Sequence, residues 1–465
     1  MKKLTFEEIT TAMRGRPLGR KDVSTVSAVR TDSRDLVDGC LFFALSGSSR
    51  DGHEFVGEAL RSGAAAAVVS DPDKIDRASL GNGRLIQVRD TLEALGRLAS
   101  WYRSQIAAQV IAVVGSCGKT TTKDMIGAVL GSKRRGQAAR ASYNNAIGVP
   151  LTLLSVDAPD EFVVVEIGTN REGEVAALGR IARPNLAVIT NIGEEHLEFL
   201  GDIEAVAKEE LSLLSCMRER SFVAINHDAR RFGSTHVMHG HSTLTFGTQD
   251  EADLRAEDLR ADLDGQRFKL NGRFEYRVPL LGRHNAINAL AAIAIGTRFR
   301  MSHREIAAGL ETVKSPPMRL ERSSLGAVTL INDAYNANPT SMRAAFDMMD
   351  ELPSDVRKVF VLGDMRELGR QAERCHRAVG RDAGRSSAHL ILTAGAYARV
   401  VADGAIGTAG TSKRIYSFPT VEALAEKIGA LIGPGDAVLL KASRGVRLER
   451  LCTPIEEALR DTVAP

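Results

Sequence analysis

One short glycine-rich segment carries the residues whose types and spacing best indicate chemistry. The apolar stretch 110–114 leads into Gly115, and Gly118, Lys119 and Thr120 follow three positions later. Glycines let backbone N–H groups approach phosphate oxygens closely. A lysine placed here can reach the β- and γ-phosphates, and the threonine hydroxyl can bind Mg²⁺. The segment therefore predicts a site for a nucleoside triphosphate, with ATP and Mg²⁺ as the expected ligands.

The spacing of this loop differs from the common phosphate-binding pattern. That pattern places four residues between its two glycines, whereas only two residues lie between Gly115 and Gly118. Position 113, where the first glycine of the common pattern would stand, is a valine. A short loop of this kind could also be an ordinary strand–turn–helix connection. A helix is predicted over 121–130, and its N-terminus would add a partial positive field at the loop. The order of strand, glycines, lysine, threonine and helix favours phosphate binding.

Three further residues could take part in the same chemistry. Glu166 ends a predicted strand, and a carboxylate at the carboxyl end of a parallel strand lies where such sheets bind ligands. It could hold Mg²⁺ directly or through water, or simply be a solvated strand end. His196 follows another strand end and could be a metal ligand or a structural histidine. Lys208 lies beside two glutamates on a predicted helix, where spacing alone does not distinguish it from an exposed lysine.

Several other polar segments follow predicted strands or begin helices. Loops rich in hydrogen-bonding side chains at such positions are more often sites than connections. In the last third of the chain, three such loops follow three strands, which predicts that this part closes over a ligand. The segments are Asn144 and Asn145, then His284, Asn285 and Asn288, and then 332–339, 363–369 and 441–445.

Composition limits the class of protein. The 465 residues suit about three domains, and a net charge of +3 gives no reason to expect nucleic-acid binding. Five cysteines without a C-x-x-C pair indicate reduced thiols and a cytoplasmic protein. The N-terminus has no apolar signal segment, and the sequence has no run of about 18 apolar residues. We therefore expect neither export nor a membrane span.

The pattern of strands and helices predicts an α/β fold with three domains, 1–105, 106–314 and 315–465. The first is a smaller α/β domain, the second has a phosphate-loop-type, mainly parallel sheet, and the third is a Rossmann-like doubly wound sheet. Alternating stretches with Asp-Gly and Asn-Gly turns over 242–280 predict a small antiparallel insertion in the second domain. A helix is predicted over 284–298. The predicted strands are 40–45, 65–69, 84–88, 110–114, 162–167, 186–190, 221–225, 328–332, 358–362, 390–393 and 437–441.

Taken together, these motifs resemble the Mur ligases of bacterial cell-wall synthesis over nearly the whole chain. Segments 31–34, 41–47 and 51–53 resemble the uridine-nucleotide domain of that family. The central motifs resemble its ATPase domain; they are 115–121, 143–150, 166–170, 190–196, Lys208 and 282–288.

The motifs of the third domain indicate which member of the family is most similar. Segments 333–339 and 362–369 resemble the ligase that adds D-alanyl-D-alanine to UDP-N-acetylmuramoyl-tripeptide. The Asp-Asn-Pro-Arg motif typical of the diaminopimelate-adding ligase does not occur. The departures are Asn332 where an Asp is common, Ala442 where a Gly is common, and Cys117 in the loop. None of them removes an expected phosphate or metal contact.

The resemblance implies roles for individual residues. Lys119, His196 and Lys208 would be catalytic, and Lys208 would be carbamylated, which turns an ammonium into an anion. Two magnesium sites would be served by Thr120, Glu166, His196 and the carbamate of Lys208. ATP would be bound by Gly115, Ser116, Cys117, Gly118, Lys119, Thr120, Thr121, Asn285, Arg319 and Asp333. The other substrates would be bound by Ser33, Arg34, Asp51, Gly52, His53, Asn144, Asn145, Tyr335, Asn336 and Asn338.

The implied partners are two small molecules, UDP-N-acetylmuramoyl-tripeptide and D-alanyl-D-alanine, bound by a monomer. The nearest alternatives are a Mur ligase that adds the third stem-peptide residue and a folylpolyglutamate synthase, although folate enzymes lack a uridine domain over the first 105 residues. A phosphate-loop switch or motor is a different class, but no surface for an effector can be read from the sequence. A catalytically silent scaffold protein would not need the full set of Lys119, Thr120, Glu166, His196 and Lys208.

Overall fold

The structure is a computed structural model that describes residues 1–18, 25–47, 50–76, 84–227, 229 and 240–461. These residues form three α/β domains, each built on its own sheet of five, nine or six strands. The predicted fold class is confirmed. Within the described residues, no helix is both long and apolar enough to cross a membrane.

The first domain has a five-stranded sheet in the order β1-β5-β4-β3-β2, parallel except for β1. Its central strands are apolar throughout because both faces are covered. The predicted strands are one to two residues too long here, and a 3₁₀ turn precedes α2. The elements are α1 Phe6–Met13, β1 Arg16–Leu18, β2 Ala28–Arg30, β3 Cys40–Phe43, α2 Val56–Arg61, β4 Ala66–Val69, β5 Leu85–Gln87 and α3 Thr91–Gln105.

Helix α3 joins the first domain to the second. The Tyr102 hydroxyl donates to the Val156 carbonyl at 2.6 Å. The buried Arg103 guanidinium donates to the Ala182 carbonyl at 2.8 Å and to Asn185 Oδ1 at 2.6 Å. A buried arginine that satisfies the end of a neighbouring helix fixes the position of both elements. The predicted boundary after residue 105 thus falls at the end of a helix that packs on the central domain.

The central domain has a nine-stranded sheet in the order β14-β13-β12-β11-β10-β9-β6-β8-β7. Its elements up to β10 are β6 Gln109–Val114, α4 Lys119–Gly131, β7 Gly136–Ala138, α5 Gly148–Leu154, β8 Phe162–Glu166, α6 Glu174–Ala182, β9 Leu186–Ile189, α7 Leu197–Leu200, α8 Ile203–Leu211 and β10 Phe222–Asn226. The remaining elements are β11 Ser242–Gly247, β12 Leu254–Asp262, β13 Gly265–Leu270, β14 Phe274–Val278, α9 His284–Arg298 and α10 His303–Leu310.

The predicted antiparallel insertion is present as β12, β13 and β14, and β11 before it belongs to the central sheet. Strand β11 pairs with β10 in parallel, and β12 pairs with β11 in parallel, so this segment continues the central sheet. Only β12–β13 and β13–β14 are antiparallel, and the predicted Asp-Gly and Asn-Gly turns connect them. The pairing of β11 with β10 joins two strands that have 15 residues between them along the chain, which local turn signals cannot predict. The predicted helix over 284–298 is confirmed.

The third domain has a six-stranded sheet in the order β15-β16-β20-β17-β18-β19, in which only β15 is antiparallel. Strands β16, β20 and β17 are neighbours, so the three predicted polar loops meet at one edge of the sheet. The elements are β15 Glu321–Leu325, β16 Val328–Asp333, α11 Pro339–Asp350, β17 Lys358–Gly363, α12 Ala372–Arg385, β18 Leu390–Ala394, α13 Ala398–Ile406, β19 Arg414–Phe418, α14 Val421–Leu431, β20 Ala437–Lys441 and α15 Cys452–Asp461.

Candidate active site

The glycine-rich loop lies between β6 and α4, as the sequence predicts. Gly115 and Gly118 have φ values of +123° and +82°, which side chains rarely adopt. A Cβ on Gly115 would collide with Thr190 Oγ1, and one on Gly118 would lie 2.7 Å from Asn288 Oδ1. Asn191 Oδ1 accepts a hydrogen bond from the Cys117 N–H at 2.6 Å. The loop is therefore tightly held against the polypeptide that follows β9.

Lys119, the first residue of α4, lies among three buried carboxylates. Its Nζ donates to the Gly115 carbonyl and lies 3.7 Å from Glu195 Oε1. Burial alone would lower the pKa of Lys119, but the charges of Glu195, Glu210 and Glu166 outweigh it and raise that pKa. The side chain is thus held as an ammonium ion, the form that can bind phosphate.

Several buried oxygens beside Lys119 have no hydrogen-bond partner among the described residues. They are Thr120 Oγ1, Glu166 Oε2 and Glu195 Oε1. Glu166 is held in place because its Oε1 accepts a hydrogen bond from Asn144 Nδ2 at 2.9 Å. Unsatisfied buried oxygens are costly, and carboxylate and hydroxyl oxygens are the ligands that Mg²⁺ prefers. The residues present therefore fit a magnesium ion.

A complete protein-only metal site is not formed in the part of the chain that the structure describes. No group of three or more His, Cys, Asp or Glu side chains is arranged to hold an ion there. Mg²⁺ usually keeps several waters and takes substrate phosphates as ligands. The arrangement suits a cation that binds together with a nucleotide.

His196 connects the central domain to the third. It has a φ of +50°, and its Nδ1 lies 2.6 Å from Glu367 Oε2. Burial opposes the charged form, but the hydrogen bond to Glu367 and the charge of Glu195 raise the pKa of His196. The same hydrogen bond lowers the pKa of the Glu367 carboxyl. Nearby, Arg374 contacts Glu194 at 3.2 Å. The two domains are therefore in contact at the cleft.

The third domain contributes polar groups from the end of β16 and from the end of β20. Asp333 pairs with Lys441 at 2.5 Å, and its Oδ1 accepts the Leu320 N–H at 3.2 Å. The Arg319 guanidinium stacks over the Tyr335 ring at 4.1 Å. Because Asp333 and Lys441 are direct partners in neighbouring parallel strands, the ion pair orders the edge of the sheet that faces the cleft.

Asn338 brings the third domain up to the glycine-rich loop. It is the N-cap of α11, with its Oδ1 accepting the Ser341 N–H at 2.8 Å. Its Nδ2 lies 3.3 Å from Cys117 Sγ. Burial raises the pKa of the Cys117 thiol, so this cysteine is a neutral packing group here. The contact places the N-terminus of α11 beside the proposed phosphate site.

Two adjoining cavities of about 660 and 730 Å³ lie between the central and third domains. All the predicted ATP and metal residues except Gly115 and Lys208 line at least one of them. The first cavity is lined by Lys119, Thr120, Asn144, Asn145, Glu166 and His196, and the second by Thr121, Asn285 and Asp333. Both are lined by Ser116, Cys117, Gly118, Arg319, Tyr335, Asn336 and Asn338.

Lys208 does not reach this cleft. Its side chain is 77% exposed and pairs with Glu172 at 2.9 Å. The next two residues of α8 point the other way. Glu209 accepts the Gly173 and Val175 N–H groups at 2.7 and 2.8 Å. Glu210 Oε2 accepts the Gly115 N–H at 2.9 Å. Helix α8 thus holds both the glycine-rich loop and the loop after β8.

The predicted substrate residues of the first domain also lie outside the two cavities. Ser33 is partly exposed, and the Arg34 side chain is 85% exposed and pairs with Asp32 at 2.6 Å. Both belong to a solvent-facing loop of the first domain. Their predicted contact with the uridine nucleotide stays a prediction.

Segment 51–53 makes close contacts within the first domain. His53 is buried; its Nδ1 lies 2.6 Å from Asp51 Oδ1, and its Nε2 accepts the Ser70 N–H at 3.0 Å. A Cβ on Gly52 would lie 2.6 Å from backbone atoms of Leu45. Because both ring nitrogens are engaged and the glycine permits close packing, these residues hold the first domain together. The predicted contact of these residues with the uridine substrate stays a prediction.

Sequence reasoning missed Glu195, Glu210 and Asn191. Each of the two glutamates is part of a Glu-Glu pair, a pattern typical of solvated surface, and nothing in the sequence spacing shows that they are buried. Asn191 directly follows β9, so the rule that polar residues at strand ends form sites could have found it.

Residues 25–103 match the Mur ligase family catalytic domain, residues 113–296 the Mur ligase middle domain, and residues 318–444 the Mur ligase glutamate ligase domain. The UDP-N-acetylmuramoyl-tripeptide–D-alanyl-D-alanine ligase of Bacillus subtilis is 36% identical over 441 residues, which cover 94% of each chain.

Two solved structures are similar over nearly their full length. A crystal structure of MurF from Acinetobacter baumannii has a TM-score of 0.88 at 29% identity and covers 98% of this chain and 99% of its own. MurF from Thermotoga maritima in complex with ADP has a TM-score of 0.80 at 25% identity, with 94% and 99% covered.

Proposed function

The chain belongs to the Mur ligase family, and on that basis we propose that it joins D-alanyl-D-alanine to the terminal carboxylate of UDP-N-acetylmuramoyl-tripeptide. ATP is converted to ADP and phosphate in the reaction, which belongs to peptidoglycan precursor synthesis. The observation that carries the proposal is the cleft itself. There Lys119 and buried carboxylates of the central domain face the polar loops of the third domain.

The chemistry explains why ATP is required. A carboxylate does not react with an amine at neutral pH, because its leaving group would be oxide. Transfer of the γ-phosphoryl group to the carboxylate gives an acyl phosphate. The free amine of D-alanyl-D-alanine then attacks the acyl carbon, and the tetrahedral intermediate collapses to the amide and inorganic phosphate. No nucleophilic side chain is needed; the protein must position the reactants and balance charge.

The phosphate loop and its surroundings supply that charge balance. Transfer to a carboxylate brings two anions together, so cationic groups must already be in place. Lys119 and the backbone N–H groups at the start of α4 would bind the phosphates. Asn285 would contact the base, and Arg319 and Asp333 would face the nucleotide from the third domain. All three side chains line the second cavity.

Mg²⁺ would be held by Thr120, Glu166 and His196, with two sites expected. When bound, the ion would neutralise charge that develops on the transferring phosphoryl group. The unpartnered oxygens of Thr120 and Glu166 support this assignment. Lys208, as a carbamate, would assist the second ion. That role requires its side chain to leave the ion pair with Glu172.

The domains divide the task. Residues 1–105 would bind the uridine nucleotide, residues 106–314 ATP, and residues 315–465 the incoming dipeptide, closing over the cleft. Asn144, Asn145, Tyr335, Asn336 and Asn338 line the cavities and would contact the tripeptide or dipeptide. Closure excludes water, which would otherwise hydrolyse the acyl phosphate. The contact of His196 with Glu367 supports such closure.

The proposed enzyme acts as a monomer in the cytoplasm. All five cysteines of the chain are unpaired in the structure, and two of them are buried. Free thiols of this kind are typical of a reducing compartment.

An amine-dependence assay tests the proposal. Phosphate release is measured with UDP-N-acetylmuramoyl-tripeptide, ATP and Mg²⁺, and D-alanyl-D-alanine is compared with single amino acids and other dipeptides. We expect release only with the dipeptide, together with a peptide product longer by two residues. Release with a single amino acid and a shorter uridine substrate would favour the ligase that adds the third residue. Absence of both phosphate and product would refute the proposal.

A further inference from the structure

Glu195 is a buried carboxylate that has no hydrogen-bond partner for one of its oxygens. The residue is 5% exposed and lies in the loop between β9 and α7. Its Oε1 is 3.7 Å from Lys119 Nζ, and its Oε2 is 3.7 Å from His196 Nε2. Both distances are too long for hydrogen bonds. Burying a carboxylate with neither oxygen closely paired costs free energy unless another group pairs with it.

The surroundings of Glu195 point to a cation as that group. Thr120 Oγ1 from α4 and Glu166 Oε2 from the end of β8 are also buried and unpartnered, and both residues line the same cavity as Glu195. Glu166 is 1% exposed and Thr120 is 3% exposed. Three unsatisfied oxygens from three separate elements thus face one space. All three are hard donors of the kind that a divalent cation takes.

The charges around Lys119 lead to the same conclusion. One ammonium faces the carboxylates of Glu195, Glu210 and Glu166. If Glu195 served only as a counterion for Lys119, it would repel an arriving polyphosphate and compete with it for the lysine. A divalent cation between Glu195 and the phosphates turns that repulsion into attraction.

We propose that Glu195 is a further magnesium ligand of the nucleotide site, acting with Thr120, Glu166 and the nucleotide phosphates. The proposal rests on the proposed function, because the cation arrives with ATP. It predicts opposite effects of the carboxylate with and without the metal. Without Mg²⁺ the charge of Glu195 weakens nucleotide binding, and with Mg²⁺ it strengthens binding.

The test compares ADP binding in excess EDTA and over a titration of MgCl₂, by isothermal titration calorimetry. The proteins are the full chain, Glu195→Gln, and Glu198→Gln as a control that removes the charge of a nearby exposed residue. In the full chain and the control, Mg²⁺ tightens ADP binding. In Glu195→Gln we expect that tightening to shrink about 10-fold or more, while ADP affinity in EDTA is equal to or higher than that of the full chain.

Two results would overturn the proposal. One is Mg²⁺-induced tightening that is unchanged in Glu195→Gln, which would make Glu195 a counterion of Lys119 only. The other is a parallel loss of affinity with and without Mg²⁺, which would make its role structural. If Glu195→Gln does not fold, Glu195→Ala is measured against the same outcomes. Amine-dependent phosphate release by the unaltered chain is recorded separately, so failure of the proposed function and failure of this assignment are distinguishable.

Discussion

Removing the charge of Glu210 should stabilise the nucleotide-free protein at neutral and alkaline pH. Glu210 is 0% exposed; its Oε2 accepts the Gly115 N–H at 2.9 Å, and its Oε1 has no hydrogen-bond partner. Burial, aided by the charge of Glu195, raises the pKa of Glu210 to about 7, although Lys119 and the Gly115 N–H act in the opposite direction. Glutamine keeps the shape and can still accept the N–H of Gly115.

The pKa gives the sign and the size of the effect. In the unfolded chain the carboxyl has its ordinary pKa of 4.5. Between pH 4.5 and about 7 the folded protein therefore binds more protons than the unfolded chain, and stability falls as pH rises. Each unit of difference between the folded and unfolded pKa corresponds to ~1.4 kcal/mol of folding free energy. The ionised form of Glu210 therefore lowers the stability by at most about 3 kcal/mol above pH 7. Most of this cost is absent at pH 5.

Urea unfolding at pH 5 and pH 8 in EDTA measures the effect. The fluorescence of Trp101, the single tryptophan of the chain, reports unfolding, because this residue lies on α3 between the first two domains. We expect the free energy of unfolding of Glu210→Gln, relative to the unaltered chain, to rise by about 2 kcal/mol from pH 5 to pH 8. Glu204→Gln, an exposed change on the same helix, should show no such trend. If Glu210→Gln is less stable than the unaltered chain at pH 8, attraction to Lys119 outweighs burial and the reasoning is wrong.

Four further predictions concern catalysis, closure and the domain junction. Lys119→Ala should lower phosphate release by a factor on the order of 10²–10³ while binding of the uridine substrate stays measurable; near-normal turnover would show that this loop is not the phosphate site. Lys208→Ala should lose activity that short-chain carboxylic acids partly restore, and lack of rescue in the same phosphate assay would leave the carbamate unsupported. Small-angle scattering should change when an ATP analogue and the uridine substrate are added together, whereas identical profiles would count against domain closure. Arg103→Met should cost about 3 kcal/mol in urea unfolding, because it leaves buried acceptors unpaired; Arg97→Met, which removes a surface ion pair with Glu93 on the same helix, should cost less than about 1 kcal/mol.

Much of the fold could be predicted because its signals are local. The central strands of the parallel sheets are buried on both faces and are therefore continuous apolar runs, which the sequence displays directly. The turns between β12, β13 and β14 follow from Asp-Gly and Asn-Gly pairs. The place of β11 in the central sheet could not be predicted in the same way. Its partner β10 is separated from it by a connecting segment, and strand pairing at that distance has no local signature.

For the candidate site, the sequence by itself determined the glycine-rich loop and its place between a strand and a helix, because strand, glycines, lysine and helix N-terminus are contiguous. Only the tertiary structure decided which charged groups meet there. Glu195 and Glu210 are buried beside Lys119, whereas Lys208 faces solvent and His53 is engaged inside its own domain. The physical reason is that burial and pairing depend on residues brought together from separate strands and domains. A glutamate in a Glu-Glu pair has the same local sequence whether it faces water or a lysine.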